Sequence, residues 1–252
     1  MVTENKKTRR KTYKEYLLQF FTLFFAILLG AIAENFREQY TAEVLERNME
    51  KETLMAMIND LKTDISNLNK SIDLKREKEV IAEKLVTAFT NNEYKKTTKD
   101  IYYYARIMTS REAFAASDGA VTQLQNSGGY SMIKNKLIID QINRYHYLKE
   151  KIYKLNDTED LILIEYRKVA SKLFKADVFS KMLNANKYKT FKYYIKPLDN
   201  NVPLFLNDKA LINELLFWIS SENGNQSASI AQMVELKSHV KVMIETIELH
   251  IK

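Results

Sequence analysis

Cysteine is absent from the 252 residues. That excludes disulfides, thiolate zinc sites and thiol catalysis. Proline occurs twice and glycine five times, far below average usage. An all-β fold needs turns that such a chain cannot supply, so the composition points to long helices. The three histidines, His146, His239 and His250, do not pair at the i, i+3 or i, i+4 spacing that lets one helix face hold a metal. No G-x-S-x-G elbow occurs. Ser127-Gly128-Gly129 lacks the lysine and the spacing of a nucleotide loop. These absences lead us to expect a protein that is not an enzyme and uses no metal or cofactor.

What the chain does have is one long apolar run. Residues 16–33 read YLLQFFTLFFAILLGAIA, with no acidic or basic side chain between Glu15 and Glu34. Eighteen residues rising about 1.5 Å each span roughly 27 Å, close to the hydrocarbon thickness of a bilayer. A core helix of a soluble protein keeps a polar face, and this segment has none. We therefore read residues 16–33 as a transmembrane helix.

The flanks orient it. Residues 1–15 carry six lysines and arginines against Glu4 and Glu15, a net of +4. Residues 34–52 carry six glutamates against Arg37, Arg47 and Lys51, a net of −3. The positive-inside rule then places the N-terminus in the cytoplasm and residues 34–252 across the membrane. The main domain is then expected to be extracytoplasmic. A cleaved signal peptide is the alternative, because Ala31-Ile32-Ala33 fits a small-x-small site behind a basic start. Against cleavage stand the four phenylalanines of the apolar run and the helix-forming sequence that follows it without a break. Ala26 and Gly30 stand four apart, a spacing that lets transmembrane helices approach closely.

No glycine or proline occurs between Gly30 and Gly119, so we expect a long helix over residues 34–90. Leu54, Ile58, Leu61, Ile65, Leu68 and Ile72 follow at alternating steps of four and three, a heptad seam that weakens where Lys75 and Glu79 take the next positions. Such a seam pairs with copies of itself in a parallel stalk, or packs against later helices of the same chain. Periodicity alone leaves both open.

Further along, the pattern gives a polar turn over 91–99, a helix over 101–114, a helical turn over 121–125 and a long amphipathic helix from Lys136. That helix continues or restarts at Thr158. Asp208 is placed to cap a helix over 210–221. Asn223-Gly224-Asn225 is expected to end it, with a last helix over 227–250. The fold class is all-α: one N-terminal transmembrane helix continuing into a long helix, then an antiparallel bundle of about five to seven helices. The organisation is 1–15 tail, 16–33 membrane span, 34–90 long helix and 91–252 bundle.

Several short motifs carry a family resemblance. Ala33-Glu34-Asn35-Phe36-Arg37-Glu38 leaves the membrane, and Leu61-Lys62-Thr63-Asp64 follows on the long helix. Later come Leu124-Gln125-Asn126-Ser127-Gly128-Gly129, then Ile133-Lys134-Asn135, then Ile142 through Tyr145. Together they resemble an uncharacterised family of bacterial single-span membrane proteins, defined as a domain of unknown function. Phe36 stands where that family usually has Trp, and His146 separates two tyrosines. The resemblance implies an anchor plus an extracytoplasmic helical domain, and no reaction.

Two charged groups remain. Glu34, Arg37 and Glu38 share a helix face at the membrane boundary, suited to intrahelical ion pairs or to a charged ring in an oligomer. Lys187, Tyr188, Lys189, Lys192, Tyr193 and Tyr194 interleave cations with aromatics, as a nucleic-acid surface does. The expected topology keeps nucleic acid away and makes anionic lipid headgroups or envelope polymers the reachable partners. Besides the bilayer, the expected partners are another membrane or envelope protein and the chain itself. Three readings of function stand: a scaffold or partner-binding subunit of a membrane complex, a ligand-sensing bundle that signals through a partner, and a homo-oligomeric pore or stalk.

Overall fold

The computed structural model describes residues 13–91, 94, 96–126, 129–183 and 195–252. Six α-helices are assigned among them: α1 Tyr13–Thr90, α2 Thr98–Met108, α3 Gly119–Asn126, α4 Lys136–Leu173, α5 Ala176–Lys181 and α6 Lys209–His250, with a short 3-10 helix at Gly129–Met132. The all-α fold is thus established. No strand occurs among the described residues; the sole bridge pairs Leu183 with Ile195. The chain forms two compact units, Met1–Glu52 and Thr53–Lys252.

In the first unit, α1 holds the one helical stretch among the described residues that is long and apolar enough to cross a membrane. Its best 18-residue window has a mean hydropathy of 2.1, and none of it is buried. The phenylalanines run in two columns along the surface, Phe20 beside Phe24 and Phe21 beside Phe25. Thr22 donates its hydroxyl to the Leu18 carbonyl, so its polar group is satisfied within the helix, as an apolar surrounding demands.

In the second unit, residues 53–90 of α1, with α4 and α6, form the core. α6 runs antiparallel to α4: Gln141 meets Thr246, Arg144 meets Glu235 and Asn225 meets Leu155. α6 is also antiparallel to α1, with Lys62 on Glu248 and Glu79 on Ser227. The neighbours α1 and α4 run the same way, since Asp64 pairs with Tyr145 and Lys75 with Glu159. Parallel neighbours need a long return, and residues 109–118 supply it as an extended strap. Side chains rather than a sheet satisfy its backbone. Asn156 donates to the Phe114 carbonyl, Ser117 N–H donates to Asp64, and Ala116 N–H to the Tyr153 hydroxyl.

The strap corrects the expected helix over 101–114. α2 ends at Met108, where the hydroxyls of Thr109 and Ser110 fold back on the carbonyls of Arg106 and Ile107. Asp208 does cap α6, accepting from Ala210 N and Leu211 N. The expected break at Asn223-Gly224-Asn225 is absent, and α6 is continuous from Lys209 to His250. Glu222, Asn225 and Gln226 are buried there, so tertiary contacts override the local cost of a helical glycine. Of the two courses open at Thr158, the helix continues: α4 is unbroken from Lys136 to Leu173 and capped by Asn135.

The apolar core lies in two clusters. One gathers Leu54, Leu61 and Leu68 of α1 with Ile138–Ile152 of α4 and Met233–Ile247 of α6. The other gathers Leu85 and Phe89 of α1, Ile101 and Tyr102 of α2, Tyr166–Phe174 and Leu215–Ile219.

Gly224 lies inside α6 with nothing within 4 Å of where a Cβ would sit. Gly224→Ala should therefore stabilise the full-length protein by about 0.5–1 kcal/mol through helix propensity. Urea denaturation monitored by circular dichroism in a mild detergent measures it. A lowered midpoint would mean that the methyl meets something not in this chain.

Candidate functional site: a buried ionic layer

Between the two apolar clusters lies a layer of charge. Lys75 and Lys78 of α1 and Glu159 of α4 are fully buried, and Glu222 of α6 is 2% exposed. Lys75 Nζ donates to Glu159 Oε2 at 2.7 Å. Lys78 Nζ reaches the other Glu159 oxygen at 3.4 Å, Glu222 Oε1 at 3.2 Å and the Ser110 carbonyl at 2.9 Å. Gln226, one turn on from Glu222, donates to the same Oε1 at 2.6 Å. Three helices and the strap thus converge on Lys78.

The seam explains how α1 carries these cations inward. Among the buried positions on α1 are Leu54, Met57, Leu61, Asp64, Leu68, Lys75, Lys78, Ala82, Leu85 and Phe89. Leu54, Leu61, Leu68, Lys75, Ala82 and Phe89 are seven apart, and Met57, Asp64, Lys78 and Leu85 fall on the second seam position. The first seam position therefore runs unbroken through Phe89, while the second is interrupted at the half-buried Ser71. Ile58 and Ile72 flank the seam and Ile65 packs at its edge. The apparent weakening at Lys75 is a change of chemistry at a buried position.

The two carboxyls differ. Burial pushes Glu159 up, but Lys78 and Lys75 together outweigh it, so its carboxyl sits below the usual range. Burial also pushes Glu222 up; Lys78 and the hydrogen bond from Gln226 oppose this while Glu159 adds to it, and the result is raised. The geometry agrees. Both bonds to Glu222 fall on Oε1, and Oε2 has no hydrogen-bond partner. Asn156 Oδ1, Gln226 Oε1 and Ser229 Oγ are buried without partners in the same region. Burying charges and leaving acceptors unpaired both cost free energy, so the layer is a poor source of stability.

A second buried polar group sits toward the other end of the seam. Asp64 accepts from Ser117 N and the Tyr145 hydroxyl, both at 2.6 Å. Burial raises the Asp64 carboxyl despite these bonds, and burial with the bond to Asp64 raises the Tyr145 phenol. Lys149 pairs with Asp118 next to it.

The residues expected to form sites fall elsewhere. Leu54, Ile58, Leu61, Ile65, Leu68 and Ile72 pack within the chain's own bundle, which is one of the two arrangements that periodicity left open. Ala26 and Gly30 are exposed on α1. Arg37 bonds Glu34 at 2.5 Å on an exposed surface, and Glu38 is exposed nearby. Lys187, Tyr188, Lys189, Lys192, Tyr193 and Tyr194 lie outside the described residues, as do Ser127 and Gly128. The histidines are apart: His239 bonds the Gln141 carbonyl and His250 bonds Asn135. No group of histidines and carboxylates suited to a metal occurs among the described residues.

Glu159 and Glu222 give opposite pH signatures around the ordinary value of 4.5. The lowered Glu159 contributes stability that is present above 4.5 and lost as pH falls through its folded value. The raised Glu222 contributes stability that is present below 4.5 and lost as pH rises through its folded value. Glu222→Gln should abolish the loss on the rising side. Glu159→Gln should abolish the loss on the falling side and cost about 3–5 kcal/mol at neutral pH, because two buried ammonium groups then share one raised carboxyl. Denaturation midpoints across pH 3–8 check both. Comparison with family models, with curated proteins and with solved structures finds no match to this chain.

Proposed function

We propose that the chain is a non-enzymatic, membrane-anchored helical protein that serves as a scaffold or partner-binding subunit of a membrane complex. Its N-terminus lies in the cytoplasm and residues 53–252 lie across the inner membrane. The anchor rests on the exposed, uncharged stretch of α1 and on the opposite net charges that flank it.

The observation that carries partner binding is the outer face of α6. Between Phe217 and Ser238 its exposed residues are Phe217, Ser220, Gly224, Ser227, Ala228, Ala231, Val234 and Ser238. None is charged, in a chain that is 28% charged. On α4 the exposed positions include Lys136, Asp140, Arg144, Glu150, Lys154, Asp157, Arg167 and Lys168. Loss of charge marks the centre of protein interfaces, and small side chains let a second helix approach closely. The occupant that fits is a helix of another envelope protein.

Two measurements test the reading. Thr8→Cys and Leu206→Cys, each in a chain without native cysteine, report topology through a membrane-impermeant maleimide in intact spheroplasts. Labelling at 206 and none at 8 is expected, and the converse defeats the orientation. An intact mass of 29.6 kDa is expected as well, whereas a chain beginning after Ala33 would show a cleaved signal. For the partner, Ala231→Arg should abolish a cross-linked complex recovered in mild detergent while leaving the denaturation midpoint within about 0.5 kcal/mol, as expected of an exposed site. Recovery of monomer alone, or a complex indifferent to Ala231→Arg, defeats the scaffold.

A further inference from the structure

A cavity of about 420 Å³ opens where the end of α2, the last turns of α4 and α5 meet. Its volume falls in the range of small-molecule sites, roughly 300–1,000 Å³. The wall is apolar: Ala170, Phe174, Ala176, Phe179 and Leu183. The rings of Phe174 and Phe179 stack at 5.2 Å with 21° between their planes and give the cavity an aromatic side that an alkyl chain can lie against.

Two arginines stand on this wall, and one residue holds both. Arg106 Nη1 donates to the Thr109 hydroxyl at 3.1 Å, and its guanidinium lies over the Phe179 ring at 5.4 Å. Arg167 Nη2 donates to the Thr109 carbonyl at 2.6 Å. Arg167 has no acidic partner among the described residues; its hydrogen bond goes to a neutral carbonyl. Arg167 thus sets a permanent cation beside an apolar cavity, and Arg106 is held on the same threonine. An anion seated there gains the attraction of both charges. The guanidinium fork matches a carboxylate in plane and spacing.

We propose that this cavity binds a free single-chain anionic amphiphile of the fatty-acid class, its carboxylate on Arg167 and Arg106 and its chain along Phe174 and Phe179. The site has a built connection to the ionic layer. Thr109 holds the two arginines, and the next residue, Ser110, gives its carbonyl to Lys78. The assignment is independent of the partner reading, since it uses none of the exposed face of α6.

Photolabelling tests it on the full-length protein in phosphatidylcholine nanodiscs, with a diazirine analogue of palmitic acid as the probe. The adduct should map to the peptide that holds Phe174 and Phe179. Excess palmitate should compete, and hexadecanol, with the same chain and no charge, should not. Arg167→Gln and Ser171→Trp both change exposed residues of the cavity, so neither threatens the fold. Each should lower labelling roughly tenfold, the size expected for losing one charged hydrogen bond or the volume for the chain. Labelling spread over the surface, equal competition by hexadecanol, or indifference to Arg167→Gln would overturn the proposal. So would displacement of the probe when phosphatidylglycerol replaces phosphatidylcholine, which would assign the site to a bilayer lipid instead of a free acid. Partner cross-linking that persists while photolabelling fails would defeat this site and leave the partner reading intact.

Discussion

The second unit is organised around Lys78. Its ammonium group is fully buried and bonds to α4, to α6 and to the strap at once. Burying a cation costs several kcal/mol unless partners surround it. The chain meets that demand by aligning Glu159, Glu222 and the Ser110 carbonyl on one level of the bundle. A slip of any long helix by a turn would strand a lysine or a glutamate among leucines. Apolar clusters tolerate such slips far better, because one leucine substitutes for another along a seam. The layer therefore sets the register of α1, α4 and α6, while the clusters on either side supply most of the burial. The strap belongs to the same constraint. Parallel α1 and α4 require it, and its carbonyls are among the layer's acceptors.

Much of this was legible from the residues. The scarcity of proline and glycine pointed to the helical class, and the uncharged run at 16–33 to the one helical stretch among the described residues that is fit to cross a membrane. Asp208 was found as a cap because an aspartate before a helix-forming run has one obvious use. The misses share a cause. Gly224 reads locally as a stop, yet Glu222, Asn225 and Gln226 beside it are committed to contacts that sequence cannot show. The start of the strap reads as helix because Arg111, Glu112 and Ala113 are helix formers, and nothing local reveals that its carbonyls are wanted elsewhere. The ionic layer was hidden by a sound rule. A lysine at a seam position normally ends the buried stripe, and only its partners, 84 and 144 residues away, show that Lys75 and Lys78 continue it. The signal that could have found it was the unbroken seven-residue spacing from Leu54 to Phe89. The motifs behind the family resemblance have structural work as well. Asp64 ties the strap to Tyr145, and Asn135 caps α4.

The functional features divide by chemistry. In the proposed reading, the exposed apolar stretch of α1 meets lipid, the uncharged face of α6 a protein helix and the arginine-lined cavity an anionic amphiphile. The fully buried carboxyl and ammonium groups lie in the ionic layer and at Asp64, where they bond to each other, to Tyr145 and to the strap.

Whether the ionic layer specifies register without adding stability is tested most directly by replacing the whole layer, Lys75→Met, Lys78→Met, Glu159→Leu and Glu222→Leu together, in full-length protein carrying spin labels at Ser66→Cys and Glu150→Cys. Both label positions are exposed and lie on α1 and α4. The account predicts that the denaturation midpoint stays level or rises. It also predicts that the single inter-label distance of the parent protein broadens into several when measured by double electron–electron resonance. A single narrow distance in the replaced protein, or a large fall in its midpoint, would contradict it.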